Sequence, residues 1–206
     1  MMKALLDLDR YLFEFFNSRL SNPFFDSIMP VVRNADTWLP LYLFLLVLII
    51  VNFKKSGWII LFAVLTVILT DALSSHLIKN LIFRIRPCGD PSMIGHVRFL
   101  VIYCPQSSSF TSSHATNHFG FATIMAGCLY PYLKRWVYVG FFWAALISFA
   151  QIYVGVHYPI DVLAGTIVGI LSGWLMAKLF KKIVGDPELI ENTTIGATGV
   201  ASKRQL

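Results

Sequence analysis

Long apolar stretches limit the fold of this sequence more than any other feature. A helix needs about 20 mostly apolar residues to cross a bilayer. Five segments qualify: residues 37–53, 58–79, 113–133, 136–156 and 160–180. Only 14% of the chain is charged, whereas soluble domains carry about 25% charged residues. The sequence therefore predicts an all-α, polytopic membrane bundle with five transmembrane helices and no soluble second domain.

The N-terminal part of the chain does not meet this requirement. Residues 1–33 are apolar in places but are interrupted by charges and prolines, among them Glu14, Arg19 and Pro23. This mixture predicts an interfacial amphipathic helix followed by a bend, and a broken or re-entrant sixth span stays open. We expect residues 1–184 to form one membrane-embedded domain with an outer loop at 80–112. Residues 185–206 are polar and predict a disordered cytoplasmic tail.

The basic residues indicate how the bundle is oriented. The net charge of +6 fits the positive-inside bias of a membrane protein, and no soluble basic domain is present to bind nucleic acid. In a five-span topology, Lys54-Lys55, Lys134-Arg135 and Lys181-Lys182 lie on one face, which is therefore cytoplasmic. Lys79, together with the arginines of the outer loop, breaks this bias on the other face. These exceptions need a functional explanation.

The first of three polar clusters runs from Lys79 to Arg86-Pro87. If the second span continues as a helix, the seven-residue spacing puts both cations on one face, about 10 Å apart along the axis. Arg offers a planar fork and Lys a point charge to one phosphate. Pro87 predicts that the helix ends there. A basic collar that snorkels at a helix end is the alternative.

The second and third clusters precede apolar runs. Ser112-Ser113-His114 predicts an N-cap whose amides, hydroxyl and imidazole face an anion; simple capping is the alternative. His157 and Asp161 lie four residues apart across Pro159. This spacing lets the carboxylate accept a proton from one imidazole nitrogen and leaves the other free to attack. An ordinary helix start beside an interfacial histidine is the alternative.

Together the three clusters resemble the type-2 phosphatidic-acid phosphatase family. That family's pattern is Lys, six residues, Arg-Pro; then Pro-Ser-Gly-His; then Ser-Arg, five residues, His, three residues, Asp. This chain has Lys79 to Pro87, Thr111 to His114, and Ala150 to Asp161 in the same order. The resemblance covers roughly residues 70–175.

The resemblance implies a role for each residue of the pattern. His157 is expected to be the nucleophile that forms a phosphohistidine, Asp161 to orient it, and His114 to protonate the leaving oxygen. The phosphate-binding residues are expected to be Lys79, Arg86, Ser112, Ser113 and Gln151. The resemblance implies that neither a metal nor a cofactor is required.

Gln151 is the most serious departure from the family pattern, which has arginine there. An amide in place of a guanidinium predicts weaker stabilisation of the transition state, and Arg84 or Arg98 in the loop are the candidates to compensate. Restoring the arginine, Gln151→Arg, is expected to keep or raise activity.

Several other polar groups have open interpretations. His114 and His118 stand one helical turn apart, but the glutamate of a zinc motif is missing. Asp71 lies inside the second span and is either functional or hydrogen-bonded within the bundle. Cys88 and Cys104 both fall in the outer loop and could form a disulfide if that face is oxidising.

We therefore expect an integral membrane hydrolase, in a bacterial inner membrane, with its site facing the periplasm or exterior. Its substrate would be a lipid phosphate or diphosphate drawn from the bilayer. By resemblance the candidates are undecaprenyl diphosphate, phosphatidylglycerol phosphate, phosphatidic acid and lipid A phosphate. The alternative is a catalytically weakened protein that binds or carries such a lipid.

Overall fold

Eight α-helices, joined by short π- and 3₁₀-helical turns, form the part of the chain that the computed structural model describes, residues 2–190. The helices are α1 Met2–Glu14, α2 Pro23–Val32, α3 Leu39–Asn52, α4 Ser56–Asp71, α5 Lys79–Leu81, α6 Ser113–Leu133, α7 Tyr138–Tyr153 and α8 Pro159–Ile183. Within this range no named strand occurs, and the all-α fold predicted from the sequence is confirmed.

Several helical stretches have the length and composition to cross a membrane. Between residues 2 and 190 there are four: Ala35–Asn52, Ser56–Leu81, Ser113–Tyr153 and Pro159–Ile183. The third stretch is 41 residues long and contains α6 and α7. A 3₁₀ turn at Lys134–Val137 separates these two helices, and Lys134 has a positive φ of 46°. Membrane-spanning helices are thus confirmed, while the number of crossings stays a prediction.

Close packing of α6 against α8 fixes the centre of the bundle. A Cβ atom added to Gly165 would lie 2.6 Å from the carbonyl oxygen of Ser112, and one added to Gly173 would lie 2.5 Å from that of Gly120. Only glycine allows two membrane helices to approach so closely. The two helices run parallel and begin at the same end, where the amide of Ser112 donates to the carbonyl oxygen of Asp161 (3.0 Å).

The N-terminal helices cover the end of the bundle at which α6 and α8 begin. Phe13 of α1 is fully buried, and its ring packs edge-on against Tyr158 at 5.3 Å. Met29 and Val32 of α2 are buried in a cluster with residues of α7. Nearer the start of α1, Leu5 and Leu8 are exposed. Neither helix reaches spanning length, and the amphipathic character and interfacial position of α1 and α2 stay predictions.

The loop from residue 82 to residue 112 carries the second half of the first motif. Helix α5 ends at Leu81, and Ile82 is extended with φ −125° and ψ 101°. The prediction that the helix continues to Arg86 is therefore wrong, and the chain leaves the helix five residues earlier. A Cys88–Cys104 disulfide, with the two Cα atoms 5.9 Å apart, ties the loop together.

The C-terminal end packs at the opposite end of the bundle. The amide of Ile190 donates to the carbonyl oxygen of Asn52, and that of Lys54 donates to the carbonyl oxygen of Glu188, each at 2.8 Å. Residues 185–190 are therefore held against the turn between α3 and α4. The remainder of the tail that the sequence predicts to be disordered, residues 191–206, lies outside the described residues.

Candidate active site

His157 lies in the short connection between α7 and α8 and is almost completely buried, with 2% of its surface exposed. Gly155 has a φ of 89°, which lets the chain reverse direction after α7. The carbonyl oxygen of Gln151 then accepts hydrogen bonds from the amides of Val156 and His157, at 3.1 and 3.3 Å. The backbone around the imidazole is therefore held by the last turn of α7.

Both ring nitrogens of His157 face polar groups. Nε2 lies 3.0 Å from a terminal nitrogen of Arg86, and Nδ1 lies 3.7 Å from Oδ2 of Asp161 and 3.4 Å from the hydroxyl of Ser109. Because a guanidinium can only donate, Nε2 is the acceptor and the ring proton is assigned to Nδ1. The predicted pairing of His157 with Asp161 is thus present in the structure.

Asp161 is fully buried, and its two carboxylate oxygens accept several hydrogen bonds. Oδ2 accepts from the hydroxyl of Ser109 at 2.5 Å and from the amide of Tyr158 at 2.9 Å. Oδ1 accepts from Arg84 at 2.6 Å. These donors favour the ionised carboxylate, so Asp161 is positioned to hold the Nδ1 proton of His157.

Arg86 is 6% exposed and is held by the loop that contains it. Its guanidinium donates to the carbonyl oxygens of Ser107, Ser108 and Val156 at 3.0–3.3 Å, as well as contacting His157. Burial lowers the pKa of Arg86 to about 10, with the charge of Asp161 opposing this change, so the group is cationic at neutral pH.

Burial also lowers the pKa of His157 to about 4. The effect of burial outweighs the interaction with Asp161, which raises this pKa, so the imidazole is neutral.

The second motif begins α6 as the sequence predicts. Ser112 is the N-cap, and its hydroxyl oxygen accepts from the amide of Ala115 at 3.5 Å. Lys79 donates to the hydroxyl of Ser113 at 2.8 Å, and Ser75 lies 2.9 Å from the same hydroxyl. Lys79 of the first motif and the start of α6 therefore come together.

Asp71, left open by the sequence, belongs to the network behind this contact. Its Oδ1 atom accepts from the hydroxyl of Ser75 at 2.9 Å and from the side-chain Nδ2 of Asn117 at 3.3 Å. Ser75 in turn contacts Ser113. Asp71 is thus hydrogen-bonded within the bundle and supports the residues that hold Lys79.

His114 and His118 do not form a metal pair. Nδ1 of His118 lies 2.8 Å from the carbonyl oxygen of His114, and Nε2 lies 3.3 Å from the hydroxyl of Tyr42, so both nitrogens have partners. The two imidazole rings stack with their centroids 6.1 Å apart. No group of three His, Cys, Asp or Glu side chains that could hold a metal ion occurs among residues 2–190.

Gln151 is fully buried next to a cation that the sequence did not single out. Its Oε1 atom accepts from Nε of Arg33 at 3.3 Å. The two arginines expected to compensate for Gln151 are occupied elsewhere. Arg84 pairs with Asp9 and Asp161. The second, Arg98, is paired with the carboxylate of Asp26 at 2.5 Å.

Three residues of this region were missed in the sequence: Ser109, Asp9 and Arg33. Ser109 had a weak signal, because it ends a run of three serines one residue before the second motif. Asp9 and Arg33 had none, since both lie in the N-terminal segment, far in sequence from the three motifs. Only the tertiary structure brings them to this end of the bundle.

An apolar helical bundle with a buried imidazole between a carboxylate and a guanidinium, and further cations nearby, has the features of an integral membrane phosphatase. A model of the PAP2 superfamily matches residues 56–184. The chain belongs to this superfamily.

Individual relatives are consistent with that membership. The lipid A 4'-phosphatase of Bacteroides thetaiotaomicron is 30% identical over 208 residues, which cover 99% of this chain and 90% of the relative. The lipid A 4'-phosphatase of Porphyromonas gingivalis is 28% identical over 87% of this chain and 75% of the relative. The protein is an enzyme that hydrolyses phosphomonoester or diphosphate bonds of lipids.

A solved structure is similar in fold. The crystal structure of a transmembrane PAP2-type phosphatidylglycerolphosphate phosphatase from Bacillus subtilis matches with a TM-score of 0.66 and 24% identity. The match covers 87% of this chain and 88% of the solved one. At this identity the similarity concerns the fold alone.

Proposed function

We propose that the protein removes a phosphate group from a membrane lipid through a phosphohistidine on His157. The observation that carries this proposal is the position of His157 between Arg86 and Asp161. With its proton on Nδ1, the imidazole has its lone pair on Nε2, where Arg86 would also hold a phosphate. Attack by Nε2 on phosphorus forms the P–N bond and breaks the bond to the lipid oxygen. His114 gives that oxygen a proton, and then takes one from a water whose oxygen attacks phosphorus, which breaks the P–N bond and releases inorganic phosphate and free His157.

Phosphate binding is assigned to Lys79, Arg86, Ser112, Ser113 and Gln151. Lys79 and Arg86 contribute positive charge, which stabilises the equatorial oxygens of the transition state. Ser113 already contacts Lys79 at 2.8 Å, so one phosphate oxygen could take both donors. Ser112 is fully buried and caps α6, and in this proposal it mainly holds the amides of that first turn toward the anion.

We infer that the substrate is the 4'-phosphate of lipid A or a closely related glycolipid. Two relatives named lipid A 4'-phosphatase support this choice, and one of them aligns along 90% of its length. A groove of about 550 Å³ between α3, α4 and α6 supports a lipid substrate, since its lining is almost entirely apolar. The groove includes His118, one turn from His114, so an acyl chain lying in it would have its headgroup near the site.

We further propose that residues 1–184 form one membrane domain with five crossings, in which α6 and α7 cross separately. The basic pairs Lys54-Lys55 and Lys134-Arg135 would then lie at the cytoplasmic end. His157 would face the periplasm of a bacterial inner membrane. The Cys88–Cys104 disulfide supports this orientation, because disulfides persist in oxidising compartments.

The test is phosphate release by purified protein in detergent micelles that contain EDTA. The panel consists of lipid A, undecaprenyl diphosphate, phosphatidylglycerol phosphate and phosphatidic acid. We expect release from lipid A to be the fastest and to be lost in His157→Asn. His76→Asn is the matched control, because His76 is exposed. Faster release from another lipid would overturn the substrate assignment alone.

The alternative that Gln151 raised in the sequence is a protein that only binds or carries a lipid phosphate. It predicts no phosphate release from any lipid of the panel, with wild type and His157→Asn indistinguishable. Arg33 argues against this candidate, because a cation does stand beside Gln151.

A further inference from the structure

Among residues 2–190, Arg33 at the active-site end of the bundle is a cation without a carboxylate partner. It is the C-cap residue of α2 and is half-buried. No carboxylate in residues 2–190 lies within 4.0 Å of it, whereas Arg84 and Arg98 each have one or more. A guanidinium withdrawn from water without a counter-ion is costly. Such a group is therefore suited to an anion that arrives from outside the chain.

A hydrogen bond to Gln151 sets the orientation of the Arg33 guanidinium. Its Oε1 atom accepts from Nε of Arg33 at 3.3 Å, and this contact leaves both terminal nitrogens of Arg33 without a protein acceptor in the described part of the chain. The Nε2 atom of Gln151 is itself buried and has no hydrogen-bond partner there. The terminal nitrogens of Arg33 and Nε2 of Gln151 are therefore neighbouring hydrogen-bond donors, and neither has an acceptor in the described part of the chain.

The same glutamine is linked to the nucleophile. The main-chain oxygen of Gln151 accepts from the amide of His157 at 3.3 Å, so Arg33 and His157 are held by opposite ends of one residue. Arg33 is also electrostatically close to Arg86. After burial, the charge of Arg33 is among the causes that lower the pKa of Arg86. Two guanidiniums close enough for one to influence the pKa of the other favour binding of a multivalent anion.

We propose that Arg33 is a phosphate-binding residue of the active site, and that Gln151 both positions Arg33 and binds the same phosphate. The terminal nitrogens of Arg33 would donate to phosphate oxygens opposite Arg86, and Nε2 of Gln151 would donate to a third oxygen. The charge that the family pattern has at position 151 is supplied here by α2, from another part of the chain. This inference rests on the proposed phosphatase function for its kinetic consequences.

The experiment measures binding of orthovanadate, which resembles the phosphate in transition, together with kcat and KM on the best lipid of the panel. Arg33→Gln should raise the Kd for orthovanadate and lower kcat/KM by about 10- to 100-fold, the range for a lost charge-assisted hydrogen bond. Arg19→Gln is the matched control, because Arg19 is exposed. It should leave both quantities unchanged.

An exchange of the two side chains separates binding from folding. Arg33→Gln/Gln151→Arg returns the guanidinium to the pocket from the other side and should recover most of the lost orthovanadate affinity. Gln151→Arg alone, which the sequence predicts to keep or raise activity, should not raise activity beside Arg33, because it places a second cation there. Gln151→Ala should weaken orthovanadate binding more when Arg33 is present than in the Arg33→Gln background, because only in the first case does it also release Arg33.

Arg33→Lys keeps the positive charge but not the planar guanidinium. It is the variant to measure if Arg33→Gln does not fold. It should weaken orthovanadate binding several-fold. Unchanged orthovanadate affinity in Arg33→Gln, or in Arg33→Lys, overturns the inference even if the wild type hydrolyses lipids. If the wild type hydrolyses none, the proposed function fails, and the orthovanadate affinities still decide whether Arg33 binds the anion.

Discussion

Asp9, in the first helix, and Asp161, at the start of the last helix, are joined by a single guanidinium. One terminal nitrogen of Arg84 donates to Asp9 at 2.5 Å and the other donates to Asp161 at 2.6 Å. Both carboxylates are buried. The other oxygen of Asp9 accepts from the amide of Ile160 at 2.9 Å, in the first turn of α8. Helix α1 is thus attached directly to the residue that faces His157.

This arrangement predicts non-additive effects on stability. Arg84→Gln leaves two buried carboxylates without their counter-ion and should cost about 3–5 kcal/mol of unfolding free energy. Asp9→Asn/Arg84→Gln should be less destabilised than Arg84→Gln, because one of the unpaired charges is gone. Thermal unfolding of the wild type, Asp9→Asn, Arg84→Gln and the double variant in one detergent measures this. A double variant as unstable as the sum of the single variants would contradict the shared guanidinium.

Ser109 is predicted to act on catalysis through Asp161. Its hydroxyl donates to Oδ2 of Asp161, the oxygen that faces the imidazole of His157. Loss of a hydrogen bond to a charged group is worth about 1.5–3 kcal/mol, so Ser109→Ala should lower kcat about 10- to 100-fold with little change in KM. Ser27→Ala, at an exposed position of α2, is the control. Equal kcat values in the two variants would exclude this role.

The sequence predicted the position of a residue correctly where that position depends on residues nearby in the chain. Apolar length located the membrane helices, and the bounds of α6 agree with the predicted residues 113–133. The four-residue spacing of His157 and Asp161 foretold their pairing because it lies within one turn of chain. The prediction was wrong for Arg86. The helix ends at Leu81, and the Arg86 side chain reaches the site from an extended loop.

The residues that could not be predicted act over long separations. Arg33 meets Gln151 across 118 positions of sequence, and Asp9 meets Ile160 across 151. No period or spacing marks such pairs, since they depend on how α1 and α2 pack against the rest of the bundle. Arg84 was identified as unusual by its charge, but its partners depended on the same packing.

The stability of the protein should depend on the protonation of His157. Its pKa is about 4 in the folded protein and 6.5 when unperturbed. Between these two pH values the unfolded chain binds the extra proton, so stability is lost as the pH falls from about 6.5 toward 4, by at most about 3 kcal/mol. The melting temperature of the wild type should therefore fall more steeply over this range than that of His157→Asn. Parallel profiles would show that His157 is not buried in its neutral form.

The disulfide should support the loop that carries Arg86. Cys88 and Cys104 are 16 positions apart, and a closed loop of about that length is worth about 3 kcal/mol. Reduction should lower the melting temperature by roughly 6–12 °C and raise KM, because Arg86 loses part of its support. Cys88→Ser/Cys104→Ser should behave like the reduced protein and show no further response to reductant. A response in that double variant would point to Cys128 instead.

The central claim, that His157 carries the phosphate during turnover, is tested most directly by trapping the phosphoenzyme. Wild-type protein is mixed with lipid substrate, quenched in alkali within one turnover, digested, and analysed by tandem mass spectrometry. We predict one phosphate on His157, stable in base and lost in acid, absent from His157→Asn and present in His76→Asn. Phosphate on a different residue, or steady lipid hydrolysis by His157→Asn, would contradict the account.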